Sequence, residues 1–259
     1  MDPEALARIC AQGRLQAIYL IPTAHNPLGS VMGEDIRHAI VGIARRHGLL
    51  IIEDGAYDFL ETDPPPSFLE LAPERTVYVG GISKILATGL RVGYIVAPPD
   101  LASAIRMAIR ATTWNTPAVL TSLVTHWISD GSIQDFETAR RSAGMKGQAL
   151  CKEVLRGHEM SAHPNASFTR IWLPKKKRAE QIVARLAELG IAVSSAEPYT
   201  VGHGAPTALR LAFGGLGEEV FRFGEKVRTV VESTANRGGE SFGNPQGQDL
   251  FRVQGDAGH

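Results

Sequence analysis

The sequence predicts an α/β protein built from parallel strand–helix–strand units and followed by a second, smaller α/β domain. Three observations carry this expectation. Short apolar runs rich in β-branched residues, at 16–21, 49–52, 76–79 and 92–97, read as buried strands, the last two as parallel ones. Residues 33–47, between the first two runs, repeat apolar positions at helical spacing, and strand, helix, strand in that rhythm implies a right-handed parallel crossover. From residue 136 the alternation begins again with a long helix followed by short strands.

Composition sets the bounds. Lys plus Arg and Asp plus Glu number 27 each, so no global charge steers the chain toward nucleic acid or a membrane surface. With 44% hydrophobic and 21% charged residues, 259 residues suffice for one large or two modest domains. No apolar run approaches membrane-spanning length, and the start, MDPEALARIC, has neither a basic nor an apolar leader region. Cys10 and Cys151 are too few for a disulfide framework and too far apart for a metal knuckle, which fits a reducing cytoplasm and no metal site.

Each element has a local cause. Residues 3–12 form a first helix with Asp2 as its cap and Pro3 in its first turn. The strand at 16–21 ends at Pro22, and AHNPLG (24–29) is a loop because Asn-Pro and Gly29 are turn formers. In the helix at 33–47, Ile36, Ile40, Ile43 and Ala44 share one face, basic residues fill the last turn, and Gly48 stops it. The strand at 49–52 then delivers Glu53 and Asp54 at its carboxyl end, with Tyr57 close enough for Asp54 and Tyr57 to face one ligand. The prolines of 63–66 mark a surface excursion.

Residues 99–156 are mostly helical, broken at 115–117 and 130–131, with Leu101, Ile105, Ile109, Leu120, Leu123 and Ile128 as core positions. Strands at 168–173, 191–194 and 208–213 follow. A helix marked by Ile182, Val183, Leu186 and Leu189 closes at Gly190, and a final helix runs over about 217–232. The basic run 175–178 has no interleaved aromatics and reads as a solvated loop, not a nucleic-acid contact. Residues 234–259 hold six glycines and few apolar groups and are expected to be disordered.

The segment on which function turns is TVYVGGISKILATGLRVGYIVA (76–97). Lys84 leaves a buried strand into a Gly-rich loop, where partial desolvation would favour the neutral, nucleophilic amine that a Schiff-base lysine needs. Arg91 presents five donors in a fixed fork suited to phosphate, and Ser83 adds a hydroxyl. Arg210 lies inside a strand; alternation puts Leu209 and Leu211 on the core face and leaves Arg210 to solvent or to a bound partner.

Ser83-Lys84 with Arg91 seven residues on, in SKILATGLRVGY, resembles the cofactor-lysine segment of class I/II aminotransferases, the fold-type I pyridoxal-phosphate enzymes, and most of all the aminotransferase-like domain of MocR/GntR-type regulators. PTAHNPLG (22–29), EDGAY (53–57) and LRLAF (209–213) continue the resemblance in the family's order over roughly residues 2–233. It implies a three-layer parallel-sheet large domain, incomplete, at 1–135, and a small α/β domain at 136–233. It also implies pyridoxal 5'-phosphate as cofactor, bound by Asn26, Asp54, Tyr57, Ser83, Lys84 and Arg91.

In that pattern Asn26 donates to the cofactor's ring oxygen, Asp54 faces its pyridine nitrogen, and Lys84 is covalent partner and then general base. Lys84, Asp54 and Tyr57 are thereby catalytic, and Arg210 grips the substrate's α-carboxylate. An amino acid and a 2-oxo acid are the implied substrates, in a cytoplasmic homodimer. His25 is peripheral, and Trp114 and Asn115 fall in a loop that in relatives lies near the neighbouring subunit's site. Gly81 stands where relatives usually carry Ser or Thr, which removes one phosphate contact.

The chain also starts after the family's phosphate-binding helix-start loop and ring-stacking aromatic. It is therefore expected to be a truncated aminotransferase domain that binds the cofactor weakly and turns over little alone. The alternative class is a cofactor- and amino-acid-sensing effector domain of a MocR-type regulator without its DNA-binding part. Neither reading gives this chain alone a nucleic-acid or membrane partner. No HExxH, P-loop or post-strand GxGxxG motif competes.

Overall fold

The computed structural model describes residues 1–13, 15–174, 178–201 and 204–233. The expectations for 175–177 and for the tail 234–259 lie outside the described residues. The elements in chain order are α1 (Pro3–Cys10), β1 (Ala17–Leu20), α2 (Glu34–His47), β2 (Leu50–Asp54), α3 (Phe68–Leu71), β3 (Thr76–Gly81), β4 (Gly93–Val96), α4 (Pro99–Thr112), α5 (Ala118–Ser129) and α6 (Ser132–Val154). They continue with β5 (Met160–Ser161), β6 (Phe168–Trp172), α7 (Ala179–Glu188), β7 (Ser194–Ser195), β8 (Ala208–Ala212) and α8 (Val220–Ser233).

The first sheet has the order β1-β2-β3-β4, and its first two pairings are parallel. The crossover helix α2 ends where Gly48 turns left-handed, φ 69°. Ile40 and Ala44 of α2 pack with Leu6 and Cys10 of α1 against Ile18, Leu20 and Ile51. Ile36, expected on that face, is 37% exposed, and its neighbour Arg37 turns inward instead, at 1%.

Arg37 can be buried because its donors are satisfied. Nε donates to the Met32 carbonyl (3.0 Å), Nη1 to that of Pro66 (3.1 Å), and Nη2 to Thr23 Oγ1 (3.1 Å) and the Pro22 carbonyl (3.4 Å). One guanidinium thus ties the loop after β1 to the proline excursion. Glu53, also buried, accepts from the backbone amides of Phe68 (3.1 Å) and Leu69 (2.9 Å) at the start of α3. Burial raises its pKa against the pull of those two amides. Helix α3, closed by a Ser67–Glu70 capping box, is too short to show a period in the sequence, which gives no expectation for it.

Strand β4 departs from expectation twice. It runs antiparallel to β3, and every position in it is exposed. A parallel return needs a crossover of a dozen or more residues, usually helical, whereas 82–92 holds only turns and one 3-10 turn at Thr88–Leu90. Beyond it, α4 buries none of its residues, and Ile109, Leu123 and Ile128, expected in the core, are exposed. Among the described residues no element covers that apolar stripe.

The second sheet has the order β5-β6-β8-β7 and is antiparallel throughout. Its core joins Ile171, Leu209 and Leu211 to Ile182 and Leu186 of α7 and to Val227 and Val231 of α8. The strand expected at 191–194 shrinks to Ser194–Ser195 because the Ile191 amide donates back to Leu186 (2.9 Å) and completes the end of α7. Leu189, expected on the apolar face, is exposed there. Helix α6 lies so close to 165–166 that a Cβ at Gly144 would collide with the Asn165 carbonyl. Next to it, buried Gln148 donates Nε2 to the carbonyls of Ala166 and Phe168, both at 2.8 Å.

Arg37→Met should keep the stem's volume but remove the guanidinium's bonds to four acceptors, of which only the Pro22 carbonyl keeps a backbone donor among the described residues, the Met32 amide, lowering stability by roughly 3–5 kcal/mol. Chemical denaturation checks this, and a loss below about 1 kcal/mol would show that the loops do not depend on the guanidinium.

Candidate active site

The carboxyl ends of β1, β2 and β3 share one edge of the first sheet, so the loops holding Asn26, Tyr57 and Lys84 rise side by side. The second sheet faces them. Between the two opens a cleft of about 400 Å³ whose wall includes Tyr57, Ser83, Lys84, Arg140, Phe168 and Arg210.

Arg210 shows how the sheets meet. Leu209 and Leu211 are fully buried, so alternation along β8 turns Arg210 to the opposite face, as expected, and that face looks into the cleft. Arg210 Nε donates to Asn26 Oδ1 (2.8 Å), and Asn26 Nδ2 donates to the Tyr57 hydroxyl (2.9 Å). The Tyr57 and Phe168 rings meet edge-on at 5.3 Å, and the Arg210 guanidinium lies 5.7 Å from the Phe168 ring.

The Asn26 loop is pinned from below. Gly29 has φ 70°, and a Cβ there would strike the backbone of Ala162 and His163; Ser161 Oγ donates to the Leu28 carbonyl. The Asn26–Pro27 bond is cis. Asn165 Nδ2 reaches the Leu60 carbonyl (2.8 Å), and buried His163 meets Glu61 at 3.2 Å. The loops after β1 and β2 are therefore both fastened to the segment around β5 and β6.

Lys84 is placed differently from the expectation of partial desolvation. It sits at the middle of a turn whose flanking residues Ile82 and Ile85 are buried, and the turn aims the lysine outward, so Lys84 is exposed. Its Nζ lies 5.8 Å from the centre of the Tyr57 ring.

Asp54 ends β2, accepts from the Ala56 amide (2.9 Å) at Oδ1 and from the Tyr19 hydroxyl at Oδ2. It is not part of the cleft wall. Partial burial of the phenol, then its bond to Asp54 and that residue's charge, push the Tyr19 pKa up to about 12. Arg91 adopts a left-handed conformation, φ 51°, is exposed and lies outside the wall. His25, whose buried Nδ1 has no hydrogen-bond partner among the described residues and whose pKa is lowered by burial, is also outside the wall, as is exposed Trp114, whose ring Arg110 covers at 5.0 Å.

Sequence reasoning missed Tyr19, Phe168 and Arg140. Tyr19 was legible in principle, since alternation in AIYL sets it opposite the buried Ile18 and Leu20 near a strand's carboxyl end. Arg140 sits beside Arg141 in a long helix where nothing in the sequence marks it.

Residues 1–225 match the family described as Aminotransferase class I and II. The chain belongs to that family. The 2-aminoadipate transaminase of Thermus thermophilus is 29% identical over 245 residues, which cover 89% of this chain and 62% of that protein. The HTH-type transcriptional regulator YdeF of Bacillus subtilis is 27% identical over 206 residues, 80% of this chain and 45% of the regulator. Among solved structures, LysN, the alpha-aminoadipate aminotransferase of Thermus thermophilus complexed with N-(5'-phosphopyridoxyl)-L-leucine, matches with TM-score 0.81 at 25% identity, over 90% of this chain and 63% of that one. The chain thus has the α/β fold of fold-type I aminotransferases, as its motifs implied, and it spans from 45% to 62% of the length of these two curated relatives.

Because its pKa is raised, Tyr19 should remain a neutral donor to Asp54 through neutral pH and lose its proton only as pH rises through about 12. Tyrosinate absorbance of the wild type and Tyr19→Phe should then coincide near about pH 10.5, where ordinary tyrosines have ionised, and separate by one tyrosinate above 12. A one-tyrosinate gap already near 10.5 would contradict the bond to Asp54.

Proposed function

We propose that this chain transfers amino groups between an amino acid and a 2-oxo acid, with pyridoxal 5'-phosphate held in the cleft. Residues 1–135 serve as large domain and 136–233 as small domain of a cytoplasmic homodimer. The observation that carries the reading is the bonded path Arg210–Asn26–Tyr57 with the Lys84 amine over the Tyr57 ring. An anion-binding guanidinium, a phenol and an amine converge from two sheets on one cleft, and the Asn26 amide, outside its wall, bonds the first two.

These residues fit the cofactor. Ser83, Lys84 and Tyr57 stand in the wall, Asn26 bonds to Tyr57 and Arg210, and Asp54 supplies a carboxylate at the end of β2. When bound, the cofactor supplies an electron sink for charge developing at the substrate's α-carbon. Lys84 is the amine that takes the cofactor and then moves the α-proton as general base; its exposure leaves it open to attack a carbonyl. One Nδ2 proton of Asn26 goes to Tyr57, which leaves the other and the Tyr57 hydroxyl proton for a ring oxygen.

The Asp54 carboxylate, held by Tyr19 and the Ala56 amide, favours a protonated ring nitrogen. Ser83 and Arg91 are assigned to the phosphate. Only Nε of Arg210 is engaged by Asn26, so its two Nη atoms remain for a bidentate grip on an α-carboxylate.

A second reading, a sensor that binds cofactor and amino acid without turnover, draws support from the regulator that matches 80% of the chain. One experiment separates them. After incubation with pyridoxal phosphate and borohydride reduction, peptide mapping should find most of the pyridoxyl group on Lys84, and Lys84→Ala should keep only the sparse label of exposed surface lysines; a different lysine carrying most of the label refutes the site. With amino acid and 2-oxo acid added, formation of a new 2-oxo acid supports the enzyme, whereas an amino-acid-dependent spectral change without that product supports the sensor.

A further inference from the structure

Lys84 has no side-chain hydrogen bond or ion pair among the described residues, so where its amine goes depends on the turn that carries it. That turn is built in two halves. On its apolar side Ile82 and Leu86 sink into a cluster with Val92, Val124, Ile133 and Trp127, which belong to β4's approach, α5 and α6. On its polar side the Ile82 carbonyl accepts from the amides of Ile85 (3.1 Å) and Leu86 (2.9 Å), which leaves the carbonyls of Ile85 and Leu86 pointing onward. Both end on Arg140 of α6: Nε donates to Ile85 (2.8 Å) and Nη2 to Leu86.

We propose that Arg140 is the positioning residue of Lys84, a fork from α6 that closes the lysine turn and thereby fixes the amine against the cleft; the role rests on the aminotransferase reading of that site. A guanidinium suits the task because two parallel N–H groups grip two successive carbonyls, and a permanent positive charge faces the negative end of the turn's peptide dipoles. The neighbouring arginine does the same for the ring that Lys84 faces. Arg141 Nη1 donates to the Phe59 carbonyl (2.7 Å), two residues past Tyr57. Consecutive residues of one helix therefore hold the two loops whose side chains meet at 5.8 Å. Neither arginine needs to touch substrate or cofactor for this.

The test compares wild type, Arg140→Met and Arg140→Lys. Amide exchange over residues 82–91 should quicken roughly tenfold or more in Arg140→Met, about what losing one charge-assisted hydrogen bond releases, and less in Arg140→Lys, which restores one donor. Exchange over β6, the internal reference, should not change. Under limiting pyridoxal phosphate and borohydride, the share of label on Lys84 relative to exposed Lys146, Lys152 and Lys226 should fall by a similar factor in Arg140→Met. Reductive methylation by formaldehyde, which demands no orientation, should label Lys84 within about twofold of wild type.

Unchanged exchange at 82–91, or faster exchange everywhere including β6, overturns the proposal, the second because it marks general destabilisation. Absence of any Lys84 label in the wild type would instead refute the aminotransferase reading, and the exchange result would still decide whether Arg140 holds the turn.

Discussion

The site depends on one side chain, Asn26, that is shared between two sheets. Its oxygen accepts from Arg210 on β8, and its nitrogen donates to Tyr57 beyond β2. A primary amide can do both at once, and the polarity of its neighbours fixes which end is which: a guanidinium only donates, so it must meet the oxygen. The Arg210 guanidinium and the Tyr57 ring that Lys84 faces are thereby tied to one rigid group. The bond to Arg210 is charge-assisted and hence among the stronger ones available to the chain.

That amide sits in a loop, and loops keep their shape only when their backbone groups are satisfied. Two buried charges do this around the site. Arg37 collects carbonyls from the stretch after β1 and from the proline excursion, while Glu53 caps α3 from the strand that ends in Asp54. Tight contact with the second sheet completes the frame through Gly29 and Ser161 on one loop and Asn165 on the other. The burial of Arg37 and Glu53 is thus a cost of holding two functional loops, offset by the bonds each makes.

What was legible in the sequence followed from short-range causes. Apolar periodicity located α2, the strand–helix–strand rhythm implied the parallel pairing of β1 with β2, and the breaks at 115–117 and 130–131 fell where α4, α5 and α6 separate. Alternation in LRLAF correctly predicted the faces of Leu209 and Arg210. The failures share a long-range origin. Strand β4 looks like any buried strand, because its residues are apolar; its direction and exposure depend on how short the return from β3 is and on what lies beside it. Lys84 was expected to be desolvated from its strand-exit position, yet its turn buries the neighbours and turns the amine out. Of the missed partners, Tyr19 was marked only by alternation in AIYL, while Phe168 and Arg140 come from distant segments and carry no local mark.

The account's central claim, that Asn26 couples the second sheet to the loops after β1 and β2, is tested most directly by a double-mutant cycle. Stabilities of the wild type, Asn26→Ala, Arg210→Met and the double variant would be measured by chemical denaturation. A direct charge-assisted bond predicts a coupling energy of about 1–3 kcal/mol, the double variant losing less than the sum of the single ones. Additivity within roughly 0.5 kcal/mol would mean that Asn26 and Arg210 act independently and that the two sheets are joined by other contacts.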